Sequence, residues 1–157
     1  MIISKLKKEI TSSDYIFKDV VVCGKKVNLI FNEVLTDGGS INEFLYYLLT
    51  KVSKSDLNNF NFKIPNSNSI IIKYDDVINY LNLGYVIIIY KKIYAIEIKS
   101  HDGRGVQTIN SELSIGGAKD SFCENINTNL SLIRKRIKRD LIVRSLNIGR
   151  ISKTKVE

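Results

Sequence analysis

Few residues of this chain have the types and spacing that catalysis needs. His101 is the single histidine, and it stands beside Asp102 in a Gly-rich turn with no nucleophile next to it. Asp75 and Asp76 form a pair of carboxylates that could serve as a general acid and a general base. Paired acids also favour the N-terminus of a helix, whose dipole is positive there, and this is the interpretation we prefer. The sequence therefore predicts that the protein is not an enzyme.

The cysteines and glycines likewise form no pattern that binds a metal or a cofactor. Cys23 and Cys123 lie far apart, neither belongs to a Cys-x-x-Cys pair, and both are predicted to be reduced thiols. Gly116 and Gly117 precede a predicted helix, where backbone amides can hold an anion. The strand, loop and spacing of a phosphate-binding loop are missing around them. We predict no cofactor and no metal site.

Positive charge is concentrated in residues 134–139, where five of the six side chains are Lys or Arg. Such a run could neutralise nucleic-acid phosphates, but no aromatic residues alternate with it to stack on bases. It could also contact anionic lipid or an acidic partner. The preferred interpretation is a solvated helix end, where positive side chains complement the helix dipole. The net charge of +8 leaves an anionic membrane surface and nucleic acid as candidate partners.

Two asparagines are candidate ligand contacts. Asn125 and Asn129 are four residues apart on the longest predicted helix, beside its apolar stripe. Side chains at this spacing share one helix face. They could line a cleft between subdomains, where small-molecule sites often lie. Helix-surface or core-edge positions without a ligand are the alternative.

The hydrophobic pattern predicts helices and strands in alternation along the chain. Strands are expected where β-branched and aromatic residues dominate. Helices are expected where apolar residues recur every three or four positions. The nearly all-apolar run 85–90 is expected to be a central strand covered on both faces. The predicted fold class is α/β, of the α+β-like kind, with a mixed β-sheet flanked by helices. The predicted elements are helices at residues 2–10, 40–52, 75–83 and 121–139, and strands at 15–22, 27–31, 69–73, 85–90, 93–99 and 140–148.

Two further expectations concern helix starts and the face that the longest helix buries. Ser40 with Glu43, and Ser121 with Glu124, have the spacing of a capping box. The longest helix is expected to bury an apolar stripe, formed by Phe122, Ile126, Leu130, Ile133 and Ile137. No run of residues approaches the ~18 apolar residues of a membrane span, so this chain alone is predicted to be soluble.

The two ends of the sequence resemble each other. Residues 6–10 parallel residues 133–137, and residues 14–18 parallel residues 140–144. Each time the order is a basic amphipathic helix, a strand, a glycine turn and a further strand. This repeat predicts duplication of one α/β unit. We expect a first subdomain at 1–110, a linker at 111–120, and at 121–157 the opening helix and β-hairpin of an incomplete second subdomain. Residues 140–157 are expected to pair with the first sheet or between chains.

Three segments carry a resemblance to a known family. They are Gly-Gly-Ala-Lys-Asp-Ser-Phe-Cys-Glu at 116–124, Asn-Ile-Asn-Thr-Asn-Leu-Ser-Leu-Ile-Arg-Lys-Arg-Ile at 125–137, and Asn-Ile-Gly-Arg-Ile-Ser-Lys-Thr-Lys-Val at 147–156. They resemble the GerA family, the A subunits of spore germinant receptors. The residues that match the family motifs are Gly116, Gly117, Lys119, Asp120, Phe122, Glu124, Arg134, Arg136, Gly149 and Lys153.

The chain departs from the family pattern at three positions. Ala118 replaces a proline, Ser121 replaces a glycine, and Ile151 replaces a basic residue. Without the proline the connector before the longest helix is less rigid. These changes put the geometry of the connector in doubt.

The resemblance implies the N-terminal soluble domain of a germinant receptor A subunit. In that family two α/β subdomains precede a membrane-spanning region, and the soluble part faces the core side of the spore inner membrane. The partners implied are B and C receptor subunits, other A subunits, and small nutrient germinants such as amino acids, nucleosides or sugars. The roles implied are nutrient sensing, receptor assembly, or signal relay to the membrane region. The alternatives are a small basic nucleic-acid-binding protein and a truncated relic without a function of its own.

Overall fold

The fold is taken from a computed structural model that describes residues 2–59, 69–98, 122–137, 141–149 and 154–156. A 3₁₀ turn at Tyr74–Asp76 precedes the fourth helix. The helices and strands of this part of the chain are α1 (Ile2–Glu9), β1 (Tyr15–Val22), β2 (Lys25–Asn32), α2 (Gly38–Thr50), α3 (Lys54–Asn59), β3 (Ser69–Ile72), α4 (Val77–Asn82), β4 (Tyr85–Tyr90), β5 (Lys92–Glu97), α5 (Ile126–Arg136), β6 (Leu146–Ile148) and β7 (Thr154–Val156).

Five strands form one sheet in the order β1-β2-β4-β5-β3. The predicted fold class, a sheet flanked by helices, is confirmed. Every described pair of neighbouring strands in this sheet is antiparallel, whereas the sequence prediction was a mixed sheet. Tight turns join β1 to β2 and β4 to β5, and a tight turn can only return the chain antiparallel, because a parallel pair needs a long crossover. At the first turn Cys23 and Gly24 have φ of 50° and 75°, which suits the twist of a two-residue hairpin.

Helices cover both faces of the sheet. Leu6 of α1 and Leu81 of α4 pack with Ile87 on one face, and Phe44 and Leu48 of α2 pack into the core on the other. Alternate residues of each strand point to opposite faces. The central strand β4 therefore needs apolar side chains throughout, and Val86, Ile87 and Ile88 are each 0% exposed. The predicted central strand is confirmed.

Two predictions about α2 and α3 are wrong. Helix α2 begins at Gly38, because the carboxylate of Asp37 accepts a hydrogen bond from the Ser40 amide at 2.7 Å. An ionised cap of this kind satisfies the orphan amides of the first turn. Ser40 therefore lies within the helix instead of capping it. Residues 57–59 belong to α3, although a loop was predicted from residue 57.

The second copy of the predicted repeat contains a helix and a hairpin, but the strand bounds and the strand pairing of the hairpin differ from the prediction. Residues 141–145 lie outside any strand, and β6 pairs with β7 in a separate two-stranded sheet. The predicted pairing of this hairpin with the five-stranded sheet is therefore wrong for the described strands. The expected pairing between chains stays a prediction. Gly149 has a φ of 97°, which fits the predicted glycine turn. The linker at 111–120 lies outside the described residues.

None of the helices in the described ranges is both long enough and apolar enough to cross a bilayer.

The turn before β4 generates a first testable prediction. Gly84 has a φ of +82°, and a Cβ there would lie 3.0 Å from the carbonyl oxygen of Leu35. Gly84→Ala should lower the free energy of unfolding by at least about 1–2 kcal/mol, because an L-residue is strained in this conformation and the facing backbone cannot yield easily. Urea unfolding followed by circular dichroism measures the change.

The matched control is Gly38→Ala, where nothing lies within 4 Å of the added carbon. This variant should be at least as stable as the unchanged protein, since alanine is the better helix former. Equal stability of the two variants would contradict the prediction.

Candidate functional site: a buried arginine node

The side chain of Arg134 is buried, and it forms an ion pair with a residue 120 positions earlier in the sequence. Its Nε donates to Asp14 Oδ2 and its Nη2 to Asp14 Oδ1, both at 2.8 Å. The two side chains are 2% and 3% exposed. The expectation that Arg134 belongs to a solvated basic face is therefore wrong. The bidentate geometry fixes the distance and also the relative orientation of the two groups.

Two further side chains complete the hydrogen bonds of this pair. Ser12 Oγ donates to Asp14 Oδ1 at 2.5 Å and accepts from Arg134 Nη2 at 2.9 Å. Asn32 Nδ2 donates to Asp14 Oδ2 at 2.8 Å. We call Ser12, Asp14, Asn32 and Arg134 the Arg134 node. Each oxygen of the carboxylate accepts at least two hydrogen bonds, which a buried charge needs if burial is not to destabilise the fold.

The node also holds the segment that follows α5. The backbone amide of Val143 donates to Ser12 Oγ at 2.8 Å, and its carbonyl accepts from the Ser13 amide at 2.9 Å. The Ser13 hydroxyl donates to the same carbonyl at 3.0 Å. These hydrogen bonds join the backbone of Val143 to the loop before β1. They therefore fix the position of the chain at 141–145, although it forms no strand.

The hairpin β1–β2 explains why the carboxylate and the amide meet. Asp14 immediately precedes β1, and the strand register places Tyr15 opposite Asn32 at the end of β2. Asn32 Oδ1 accepts from the amides of Val34 and Leu35 at 3.0 and 3.2 Å. Its side chain is thereby fixed by the turn that leaves the strand. The sheet thus presents a rigid acidic site to which α5 delivers one cation.

Tyr15 covers one side of the arginine. The Arg134 Cζ lies 5.1 Å from the centroid of the Tyr15 ring, within the range of a cation–π contact. The Tyr15 hydroxyl bonds to Asn82 Oδ1 at the end of α4. Burial raises the pKa of Tyr15 above its ordinary value, although the charge of Arg134 acts in the opposite direction. The neutral phenol is therefore the form that the folded protein favours.

The two predicted ligand-contacting asparagines organise the start of α5. Asn125 is the N-cap, and its Oδ1 accepts from the amides of Asn127 and Thr128 at 2.9 and 3.2 Å. Asn129 Oδ1 accepts from the Cys123 amide at 2.8 Å, and its Nδ2 donates to the Cys123 carbonyl at 2.6 Å. Their role in ligand binding stays a prediction, and a ligand would have to share or replace these bonds.

Helix α5 buries a different face from the one expected. Its buried residues are Ser131 and Arg134, three apart on one face. Phe122 before the helix and Ile126 within it are 67% and 43% exposed, and Ile137 at its C-cap is 51% exposed. The predicted buried stripe is therefore wrong at these three positions. The capping box of Ser121 and Glu124 is wrong too, because the cap is Asn125 and the helix begins at Ile126.

The other candidate residues are spread over the molecule. Among the family-motif residues, Phe122, Glu124 and Arg136 are exposed, and Gly149 forms the turn after β6. Asp76 stands at the N-cap position of α4 without a side-chain capping bond. No three His, Cys, Asp or Glu side chains of the described ranges come together as metal ligands would. The positions that lie outside the described residues are His101, Gly116, Gly117, Lys119, Asp120 and Lys153.

Sequence reasoning missed three of the four residues of the node. It treated Ser12 and Asp14 as the end of a helix, and it ended the second predicted strand at residue 31, before Asn32. Arg134 was the one residue of the node that the sequence singled out, because it lies in a family motif and also in the basic run 134–139. Nothing in the spacing of Asp14 and Arg134 indicates a contact between residues so distant in the chain.

A match over the full chain decides the family. Residues 1–157 match the family model described as "Bacillus/Clostridium GerA spore germination protein". The chain belongs to the GerA family. The resemblance seen in its motifs is therefore confirmed.

Two curated relatives agree with this family. The chain is 40% identical over 68 residues to "Spore germination protein XA" of Bacillus anthracis. It is 37% identical over 62 residues to "Stage V sporulation protein AF" of Bacillus subtilis (strain 168). The matched stretches cover 43% and 39% of this chain. They cover 14% and 13% of the relatives, so this GerA chain corresponds to a small part of their length.

A solved structure has the same fold. It is the N-terminal domain of the A subunit of the Bacillus megaterium spore germinant receptor GerK3, with a TM-score of 0.61 and 22% identity. The similarity covers 97% of this chain and 60% of that one. At this identity the comparison establishes the fold.

The Arg134 node generates a second testable prediction. Arg134→Ala should lower the free energy of unfolding by about 3–5 kcal/mol, because it leaves the buried Asp14 carboxylate without its counter-charge. Urea unfolding measures the loss. Arg136→Ala, an exposed position on the same helix, is the matched control and should change stability by less than about 0.5 kcal/mol.

A double-mutant cycle separates the ion pair from other effects of the substitutions. Asp14→Ala combined with Arg134→Ala should cost less than the sum of the two single variants, since removing both charges leaves neither unpaired. Additive losses would contradict a direct coupling between the two side chains.

The raised pKa of Tyr15 generates a third prediction, on alkaline pH. A group whose pKa is higher in the folded state stabilises the protein below its unfolded pKa of about 10. That stabilisation is lost as the pH rises through the higher folded pKa. Tyr15→Phe should therefore flatten the alkaline decline of the unfolding midpoint, measured between about pH 9 and 11. Tyr46→Phe, at a residue that is 64% exposed, should leave the decline unchanged, and an unchanged decline in Tyr15→Phe would refute the prediction.

Proposed function

We propose that this chain is the N-terminal domain of a germinant receptor A subunit, with roles in nutrient sensing, assembly with other receptor subunits, or signal relay. The Arg134 node is the observation that carries the proposal. It connects the first α-β-β unit of the chain to the α5 segment, within a chain that matches the GerA family throughout. A hydrogen-bonded connection of this kind can carry coupling between two parts of a receptor domain.

The division of the chain into subdomains is part of this proposal. Residues 1–110 form the first subdomain, 111–120 the linker, and 121–157 the opening helix and hairpin of the second. A difference in burial between the two copies of the internal repeat supports this division. Ile10 and Val22 are 9% and 1% exposed in the first copy, whereas the corresponding Ile137 and Ile148 are 51% and 56% exposed. In this arrangement the exposed faces of the second copy pack against further elements of a second subdomain.

The proposal places the domain at the core side of the spore inner membrane, with B and C subunits and other A subunits as partners. Small nutrients would bind in a cleft between the subdomains, beside Asn125 and Asn129. The name of the GerK3 relative, a spore germinant receptor A subunit, supports this reading by analogy. The fold and family are those of a germinant receptor domain, and catalysis has no part in the proposal.

The structure gives the nucleic-acid alternative less support than the sequence did. Arg134 is held by Asp14, so one of the cations in the run 134–139 cannot reach a phosphate. Lys135 and Arg136 are exposed on the same helix. No aromatic side chain lies among residues 134–139 to stack on bases.

The test of the proposal uses spores of the source organism whose other germinant receptors have been deleted. With the full gene containing this chain intact, at least one nutrient among amino acids, nucleosides and sugars should trigger ion release and loss of optical density. Arg134→Ala in the full-length protein should slow this response at least tenfold, because the node no longer connects its two parts. Arg136→Ala is the matched control.

Immunoblotting of spore membranes shows whether the variant protein is still present. A slow response at an unchanged amount of protein supports signal relay, and a parallel loss of protein and response supports assembly. Spores that respond to no nutrient with the gene intact would refute the receptor role.

A further inference from the structure

An open cavity of about 540 Å³ lies beside α1, away from the Arg134 node. It is lined by Ile2, Ser4, Lys5 and Lys8 of the helix and by Tyr74 of the 3₁₀ turn. Its volume falls in the range of small-ligand sites. None of its lining residues belongs to the receptor motifs or to the proposed nutrient cleft.

One acidic residue holds two of the lining side chains in place. The Tyr74 hydroxyl donates to Glu9 Oε2 at 2.9 Å, and the Lys5 ammonium lies 3.9 Å from Glu9 Oε1. The same ammonium sits 4.6 Å from the centroid of the Tyr74 ring, a cation–π distance. Burial and the bond to Glu9 raise the pKa of Tyr74 to about 12. The phenol therefore stays protonated and keeps its bond at physiological pH.

The described residues that line the cavity include two lysines and no acidic side chain. The Glu9 carboxylate contacts both Tyr74 and Lys5. Lys8 forms no ion pair with any residue of the described ranges. Lys7, on the same helix, extends over the Phe17 ring with its Nζ 5.5 Å from the centroid. An anion would therefore meet the Lys5 and Lys8 ammonium groups, with the Glu9 carboxylate beside Lys5 and the Asp75 carboxylate near Tyr74.

The remaining walls favour an anion that carries an apolar body. Ile2 is 44% exposed at the edge of the cavity, and Tyr74 adds an aromatic ring that the Lys5 ammonium contacts on one face. Among the lining residues that the structure describes, the uncharged polar side-chain groups are the Ser4 hydroxyl and the Tyr74 phenol. A wide mouth, outward lysines and an exposed isoleucine are the features of a helix that lies on an anionic membrane surface.

We propose that α1 and Tyr74 form a binding site for the headgroup of an acidic phospholipid. The phosphate lies between Lys5 and Lys8, and Ile2 enters the boundary between headgroups and acyl chains. The lysine stems contribute apolar contact while their charged ends reach the phosphates. Residues 134–139 were an alternative candidate for contact with anionic lipid, beside the preferred interpretation of a solvated helix end. The burial of Arg134 makes α1 the better candidate. The described lining residues include neither Asn125 nor Asn129, so the site can be tested separately from nutrient sensing.

Vesicle co-sedimentation of the 157-residue chain tests the proposal. The chain should bind vesicles made of equal parts phosphatidylglycerol and phosphatidylcholine, and should not bind vesicles of phosphatidylcholine alone. Lys5→Gln combined with Lys8→Gln should raise the apparent Kd about 30-fold, about fivefold for each lysine near the anionic surface. Lys8→Gln alone leaves the contacts of Lys5, Tyr74 and Glu9 intact, and should raise the Kd about fivefold.

The matched control is Lys51→Gln combined with Lys54→Gln. These exposed lysines lie next to α2 and in α3, on the opposite face of the sheet, and their replacement changes the net charge equally. Equal weakening by both pairs would show attraction by overall charge and would overturn the proposal. Competition by glycerol phosphate at the same phosphate concentration as the vesicles would assign the site to a free phosphate and would also overturn it.

Discussion

The buried ion pair between Arg134 and Asp14 is the interaction on which the arrangement of the chain depends. Burying two charges is costly, and their attraction compensates only when the remaining hydrogen bonds are also made. Here Ser12 and Asn32 supply those bonds. The pair consequently tolerates few geometries, and it sets the rotation of α5 about its own axis. The same hydroxyl of Ser12 accepts from the Val143 amide, so the chain beyond α5 is positioned by the same few atoms.

The five-stranded sheet makes that interaction available. Its central strand is apolar on both faces, and helices cover both faces, so the ends of β1 and β2 are held in a fixed register. Asp14 and Asn32 are adjacent because of that register, before any other part of the chain is considered. The acidic site is therefore preorganised by the sheet. Preorganisation reduces the entropy lost when the arginine is ordered.

Pairing with Asp14 also changes which positive charges face the solvent. The chain carries a net charge of +8, and the densest basic segment contributes Arg134 to the interior. Lys5 and Lys8 of α1, in contrast, line an open cavity beside one exposed isoleucine. The described part of the chain thus holds a buried node and a separate basic surface. The two features use different residues and can be altered independently.

Local pattern in the sequence determined most of the strands and helices, the fold class and the GerA motifs, because periodicity and turn chemistry act between near neighbours. It also indicated the repeat. It did not determine the antiparallel order of the strands or the cap at Asp37. Nor did it reveal that α5 buries Arg134 while Ile137 is exposed. The strand order and the buried face of α5 depend on contacts between residues far apart in the chain, up to 120 positions for Asp14 and Arg134. The cap at Asp37 is local, but Ser40 is also a residue type that can cap a helix. The sequence does not show whether a charged side chain meets water or a buried carboxylate. Only the tertiary structure, by bringing Asp14 to Arg134, decided which of the two it meets.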